Sequence, residues 1–175
     1  MNHADLDELI LRLIAGVDLF RHLERQALAD LLRGAAKAAF KAGEIVFEEG
    51  ADGRSLYVVV RGSFEVYRMS GGKRLRLAEI STGEHFGEIA LLGSHQRTAS
   101  VAALEDSLAL RLTQPLLDAQ PAAAMLLYRN MASMLADRLL TADEEIVFHR
   151  SAHLTASAAG EPAASPVPPP SAAAD

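Results

Sequence analysis

Ser55-Leu56-Tyr57-Val58-Val59-Val60-Arg61-Gly62-Ser63-Phe64-Glu65-Val66 is the stretch on which the fold turns. Leu56, Val58 and Val60 alternate with Tyr57 and Val59, Arg61-Gly62 interrupts, and Phe64 and Val66 alternate again. That pattern reads as two strands joined in a hairpin. Upstream, Gly43, Gly50 and Gly53 punctuate short runs such as Glu44 to Glu48. Downstream, Gly71-Gly72 marks another turn, Leu75 and Leu77 continue the β texture, and Leu108, Leu110 and Leu112 restore it after Arg97. Many short strands separated by regular turns imply a sandwich or a barrel.

Helical patterns flank this β region. From Asp5 to Val17 the apolar positions Leu6, Leu9, Ile10, Leu13 and Val17 form an amphipathic stripe, and Leu23, Leu28, Leu31, Leu32 and Ala35 predict a second helix. Pro121 suits a first helical position, where its missing N–H would lack a partner anyway. The helix it opens runs to about His149, with Leu127, Met131, Met134, Leu135, Leu139, Ala142 and Ile146 on one face. Beyond Ala156 the chain is Ala, Ser and Pro, ending in Pro168-Pro169-Pro170. Such a segment buries too little apolar area to offset the entropy of ordering and reads as disordered.

Bulk properties bound the function. The 175 residues fit one domain with appendages, and half of them are apolar, an ordinary globular composition. With no cysteine, disulfides, zinc ribbons and thiol catalysis are excluded. A net charge of -6 provides no long-range attraction to DNA or acidic membranes. No apolar run approaches the roughly 18 residues that cross a bilayer, and Met1 to Asp7 lacks the layout of a signal peptide, so a soluble, cytoplasmic protein is expected.

The chemistry concentrates in Phe86-Gly87-Glu88-Ile89-Ala90-Leu91-Leu92 and, after a polar turn, Arg97-Thr98-Ala99-Ser100. Gly87 lets the backbone approach a ligand closely, and a helical turn opening at Glu88 would aim free N–H groups outward at an anion. Arg97 offers a fork of donors able to close over the same phosphate. A carboxylate beside a phosphate must face away from it, and Glu88 is suited to accept from a sugar hydroxyl. One anion, one sugar and one clamp describe a nucleotide.

These residues resemble the cyclic nucleotide-binding domain family found in catabolite activators, kinase regulatory subunits and nucleotide-gated channels, over roughly Leu19 to Phe148. Lys41-Ala42-Gly43-Glu44-Ile45-Val46-Phe47-Glu48-Glu49-Gly50 and Ser55 to Gly62 resemble the family's opening strands, and the step from Glu88 to Arg97 resembles its phosphate-binding cassette. The resemblance implies a mainly β, α+β fold: an antiparallel β-roll of jelly-roll type with an N-terminal helical segment and a long C-terminal helix. It divides the chain into helices over 1–40, the roll over 41–120, a lid or dimerisation helix over 121–150 and a disordered tail over 151–175. It implies a ligand, cAMP or cGMP, and no cofactor, metal or catalysis. Arg97 would bind the exocyclic phosphate oxygens, Glu88 the ribose 2′-hydroxyl, and N–H groups near Gly87, Ile89, Ala90 and Ala99 would complete the cradle, with Thr98 beside phosphate and base. Arg138 and Thr141 are candidate base caps on the long helix. The signal would pass through that helix to an effector protein, and its apolar face could support a homodimer.

Two departures from the family pattern stand out. Gln96 occupies the place where many members carry Pro, which should loosen the loop slightly, and no helix-turn-helix follows the long helix, so direct DNA regulation is not expected. Plainer readings compete. Arg97 could pair with Glu88 or Glu84 at the surface, and Glu88 could merely complement a helix dipole. His85 and His95 fall short of a metal site, which needs several converging ligands, and Gly71-Gly72-Lys73 lacks P-loop spacing. The alternative function is a nucleotide-independent docking module on the same fold.

Overall fold

The computed structural model describes Ile14, residues 16–93 and residues 95–159, with side chains as far as Ala142. These residues form two compact units that divide after Met134. The expected helix over Asp5 to Val17 falls almost wholly outside the described residues, as does the end of the tail. No helix among the described residues is long and apolar enough to cross a membrane.

The first unit opens with a 3₁₀ turn, Asp18–Phe20, and helix α1, Arg25–Gly34. Eight strands follow: β1 Ala36–Phe40, β2 Ile45–Phe47, β3 Ser55–Arg61, β4 Phe64–Ser70, β5 Lys73–Ile80, β6 His85–Phe86, β7 Ser100–Ala103 and β8 Ser107–Thr113. A short helix α2, Ile89–Leu92, interrupts them between β6 and β7, and α3, Gln114–Asp118, and α4, Pro121–Ala159, close the chain. The strands make two four-stranded sheets, ordered β1-β8-β3-β6 and β2-β7-β4-β5, with every pairing antiparallel. This is the expected roll.

Strand β3 is buried on both faces, which explains its nearly continuous apolar run. Leu56, Val58 and Val60, with Leu110 and Leu112 of β8, pack against Leu19, Phe20, Leu28, Leu31, Leu117, Leu127 and Met131 of the helical segments. Tyr57 and Val59 turn the other way, into the space between the sheets, where they meet Phe64, Ile80, Phe86, Val101, Ala103 and Ala109. Period-two alternation thus feeds two cores, because one sheet is covered on both sides.

The structure corrects three expectations. First, β3 and β4 are not a hairpin: β3 pairs with β8 and β6, and β4 pairs with β5 and β7. Gly62, at φ +87°, carries the chain from one sheet to the other so close to Ser107 that a Cβ would overlap its hydroxyl. The true hairpin lies one turn later, where Ser70 faces Lys73 across Gly71 and Gly72 at φ +57° and +77°, the positive angles a two-residue type I′ turn demands. Second, the roll begins at Ala36 rather than Lys41, since Ala36 to Phe40 pair with Arg111 to Ser107. Third, α4 continues past residue 150 to Ala159. Its apolar face is also less covered than its periodicity implies: Leu127 and Met131 are buried, Met134 and Leu135 half-buried, Leu139 and Ala142 exposed.

Candidate functional site

The cassette opens at Gly87, whose φ of +84° only glycine adopts without strain. Glu88 takes the N-cap position of α2 and makes no side-chain capping bond, so the dipole-complementing reading finds no hydrogen bond to support it. Leu91 N and Leu92 N both donate to Glu88 O at 2.9 and 3.2 Å. The preceding N–H groups, at Ile89 and Ala90, open the turn and have no carbonyl behind them within the helix. Glu88 and Ala90 are buried, whereas the Ile89 side chain is exposed.

After α2 the chain returns beside the turn that precedes β3. Gly53 N donates to His95 O at 2.7 Å, Arg97 N to Ala51 O at 2.9 Å and Gly50 N to Arg97 O at 2.8 Å. Asp52 and Gln96 face each other in an antiparallel bridge. The loop is therefore tied by backbone hydrogen bonds on both sides of Gln96. Farther along, Arg68 of β4 donates through Nε and Nη2 to Thr98 O at 2.8 and 2.6 Å while pairing with Glu49 at 3.3 Å. Thr98 is exposed, and Ala99 is buried behind it.

Arg97 lies at the centre of this arrangement and is only 5% exposed. Its Nη1 donates to Ser55 O and to Gly87 O, both at 2.9 Å, and its Nη2 donates to Ser55 Oγ at 3.2 Å. The guanidinium carbon stands 4.0 Å from the centroid of the Phe47 ring and 6.0 Å from that of Tyr57. Two glycines make room for it. A Cβ on Gly53 would overlap Nε, and one on Gly87 would come within 2.6 Å of Nη1. Burial, above all, holds the guanidinium below its ordinary pKa; Arg111 pushes the same way, against Tyr57, Glu88 and Asp52.

The surface ion pair considered for Arg97 is thus replaced by something different. Glu84 instead accepts from Ser81 N at 2.7 Å, and among the described residues Arg97 forms no ion pair with a carboxylate. Its Nε–H is buried without an acceptor. A buried cation with a spare donor and no carboxylate bonded to it is costly, and an anion bound beside it would lower that cost. No group of side chains suited to hold a metal ion occurs among the described residues, His85 and His95 included.

Of the expected site residues, Gly87, Glu88, Ile89, Ala90, Arg97, Thr98 and Ala99 all belong to this one loop system. Arg138 and Thr141 belong to the second unit, where Thr141 Oγ1 donates to Asp137 O within its own helix. Sequence reasoning missed Phe47, Gly53, Ser55, Arg68 and Arg111. Only Gly53 carried a visible signal, as a turn glycine.

Comparison with known proteins bears on the family and the fold. Residues 37–120 match the model of the cyclic nucleotide-binding domain. The cyclic AMP receptor protein of Thermus thermophilus is 33% identical over 132 residues, covering 75% of this chain and 61% of that protein. A cAMP-dependent protein kinase regulatory subunit of Blastocladiella emersonii is 33% identical over 90 residues, covering 51% of this chain and 22% of that protein. The chain therefore spans less than two thirds of these relatives. Among solved structures, the N-terminal domain of a transcriptional regulator from Streptomyces coelicolor A3(2) superimposes with a TM-score of 0.63 at 31% identity, over 71% of this chain and 90% of that one. The catabolite activator protein of Thermus thermophilus does so with a TM-score of 0.69 at 32% identity, over 76% and 63%. Fold, cassette and family match converge, and the chain belongs to the cyclic nucleotide-binding domain family, a family of regulatory binding domains rather than enzymes.

Proposed function

We propose that this protein is a sensor that binds one cyclic mononucleotide, cAMP or cGMP, by its phosphate. The cradle consists of the N–H groups of Gly87, Ile89, Ala90 and Ala99 together with the Arg97 fork; Glu88 takes the ribose hydroxyl and Thr98 lies beside phosphate and base. One observation carries the reading: a guanidinium buried against the cassette, with an unpartnered Nε–H and no carboxylate ion pair among the described residues. A cyclic phosphodiester supplies the missing negative charge without adding a second one. The relatives support the same ligand class, since one is named a cyclic AMP receptor protein and another a cAMP-dependent kinase regulatory subunit. The bound state is passed to an effector protein through α4, as a shift in population set by the ligand's preference between two states.

A second reading has its own observation. Arg97 already gives Nη1 to two backbone carbonyls, so the residue also serves the fold, and the roll could act as a docking module with no nucleotide. Calorimetric titration with cAMP, cGMP and a cyclic dinucleotide in parallel separates the two. Binding of a cyclic mononucleotide, weakened by about 1.5 to 3 kcal/mol in Arg97→Ala, supports the sensor. Arg97→Lys controls for lost packing, keeping the charge and losing the fork. No heat with any of the three nucleotides leaves the docking module as the function.

A further inference from the structure

Arg111 stands outside the cassette, on β8, and no motif singles it out. Its Nε donates to Ser55 Oγ at 3.2 Å, the same oxygen that receives Arg97 Nη2 at 3.2 Å. A serine oxygen has two lone pairs, so one hydroxyl can serve both guanidiniums. That hydroxyl is not a surface group: Ser55 is 1% exposed. In β8, Leu110 and Leu112 face the helices and Ala109 faces the space between the sheets. Alternation places Arg111 on the face of Ala109, opposite Tyr57 of β3. Its side chain emerges to solvent where Arg97 stays inside.

Two cations held on one oxygen repel each other, and here nothing of opposite sign is bonded to either. Among the described residues neither Arg97 nor Arg111 forms an ion pair with a carboxylate; Glu88 and Asp52 act on Arg97 only through space. The buried, unpartnered Nε–H of Arg97 is an independent sign that this locus is one ligand short. A phosphodiester bound beside the pair would relieve the repulsion, so the binding free energy gains from a charge that need not touch the ligand.

We propose that Arg111 is a positioning residue for anion recognition: through the shared Ser55 hydroxyl it fixes the Arg97 fork, and its charge strengthens capture of a phosphate. The proposal rests on the nucleotide reading above and adds to it a residue outside the cassette.

The test uses the full chain, titrated with cAMP and with cGMP at about 0.01 M and about 1 M salt, where the screening length falls from about 30 to about 3 Å. R111Q is expected to weaken the tighter of the two ligands by about three- to tenfold in low salt, with the gap closing to under about twofold in high salt. R111K, which keeps the charge without the Nε donor, recovers the salt-dependent part. S55A and R111Q combined lose less than the product of their separate effects, because one hydroxyl mediates both. A lowered melting temperature in R111Q with a salt-independent affinity ratio would make Arg111 merely structural and overturn the proposal. So would affinities equal to wild type at both salts, or full additivity with S55A. If the wild-type chain binds neither nucleotide, the sensor reading itself has failed; if it binds and R111Q is indifferent, only the role of Arg111 has.

Discussion

Strand β3 turns Leu56, Val58 and Val60 toward one core and Tyr57 and Val59 toward another, and the two differ in kind. On the helical side the filling is mostly aliphatic, with Leu19, Leu28, Leu31, Leu110, Leu112, Leu127 and Met131 all nearly inaccessible. Between the sheets aromatic rings join the aliphatic side chains. Tyr57 stacks on Phe86 with centroids 5.1 Å apart, Phe64 lies 5.0 Å from Phe86, and Phe40 meets Phe64 edge-on at 5.6 Å. Aliphatic packing holds helices to a sheet by removing area from water, with no preference for charge. An aromatic wall does the same and also presents ring faces that attract a cation. That difference is what lets Arg97 be buried in the second region, over Phe47.

The largest effect expected is on the aliphatic side. Leu110→Ala should cost about 2 to 5 kcal/mol of stability, from lost transfer energy and the cavity left behind, as read by urea unfolding. Nucleotide affinity, measured where the variant is folded, should change little. A parallel collapse of binding would mean that the two cores act as one. Next comes the aromatic side, through the glycine that makes room for Arg97. Gly53→Ala should cost about 1 to 3 kcal/mol by overpacking against the guanidinium and should weaken nucleotide binding about tenfold or more. Binding at wild-type strength would show that the fork tolerates displacement.

Phe47→Leu sharpens the comparison further, since it exchanges an aromatic face for an aliphatic one at similar size. It should reduce affinity by about 0.5 to 2 kcal/mol, the range of a cation–π contact. An unchanged calorimetric isotherm would reduce the aromatic wall to packing. Asn130 offers the smallest effect, about 1 kcal/mol of stability. Its Nδ2 donates to Leu19 O and Arg21 O at 3.0 and 2.8 Å, tying α4 to the 3₁₀ turn, and Asn130→Ala loses both bonds at the edge of the aliphatic core. Thermal unfolding of the variant, with titration alongside, should show the first change without the second.

Some of this was legible in residue order, and the exceptions have physical causes. The run Leu56 to Val60 reads as a strand because it is short, rich in β-branched and aromatic residues and bounded by Gly53 and Gly62, and Gly71-Gly72 reads as a turn because two positive φ angles nearly require glycine. Ala36-Lys37-Ala38-Ala39-Phe40 does not read as a strand. Alanine favours helix, and this segment is extended because β8 offers it an unpaired edge. The crossing at Gly62 was read as a hairpin because a turn glycine reports the local angle and not the identity of the next partner. Within the site, the step from Gly87 and Glu88 to Arg97 is short enough to see as a motif. Ser55 and Arg111, separated by 42 and 56 positions from the groups they meet, leave no trace of that meeting in sequence.

By itself, then, residue order determined the β character of the middle of the chain, the helical character of its flanks and the spacing of a phosphate cassette. Each of these depends on dihedral preference or on periodicity within a few neighbouring residues. Tertiary structure alone decided which sheet each strand joined, which core each face of β3 entered and where the Arg97 side chain came to rest. Those outcomes depend on pairings distant in sequence, from Val58 with His85 to Ala36 with Arg111, whose loop-closure entropy is offset only when the pairings form together. No local window contains that sum.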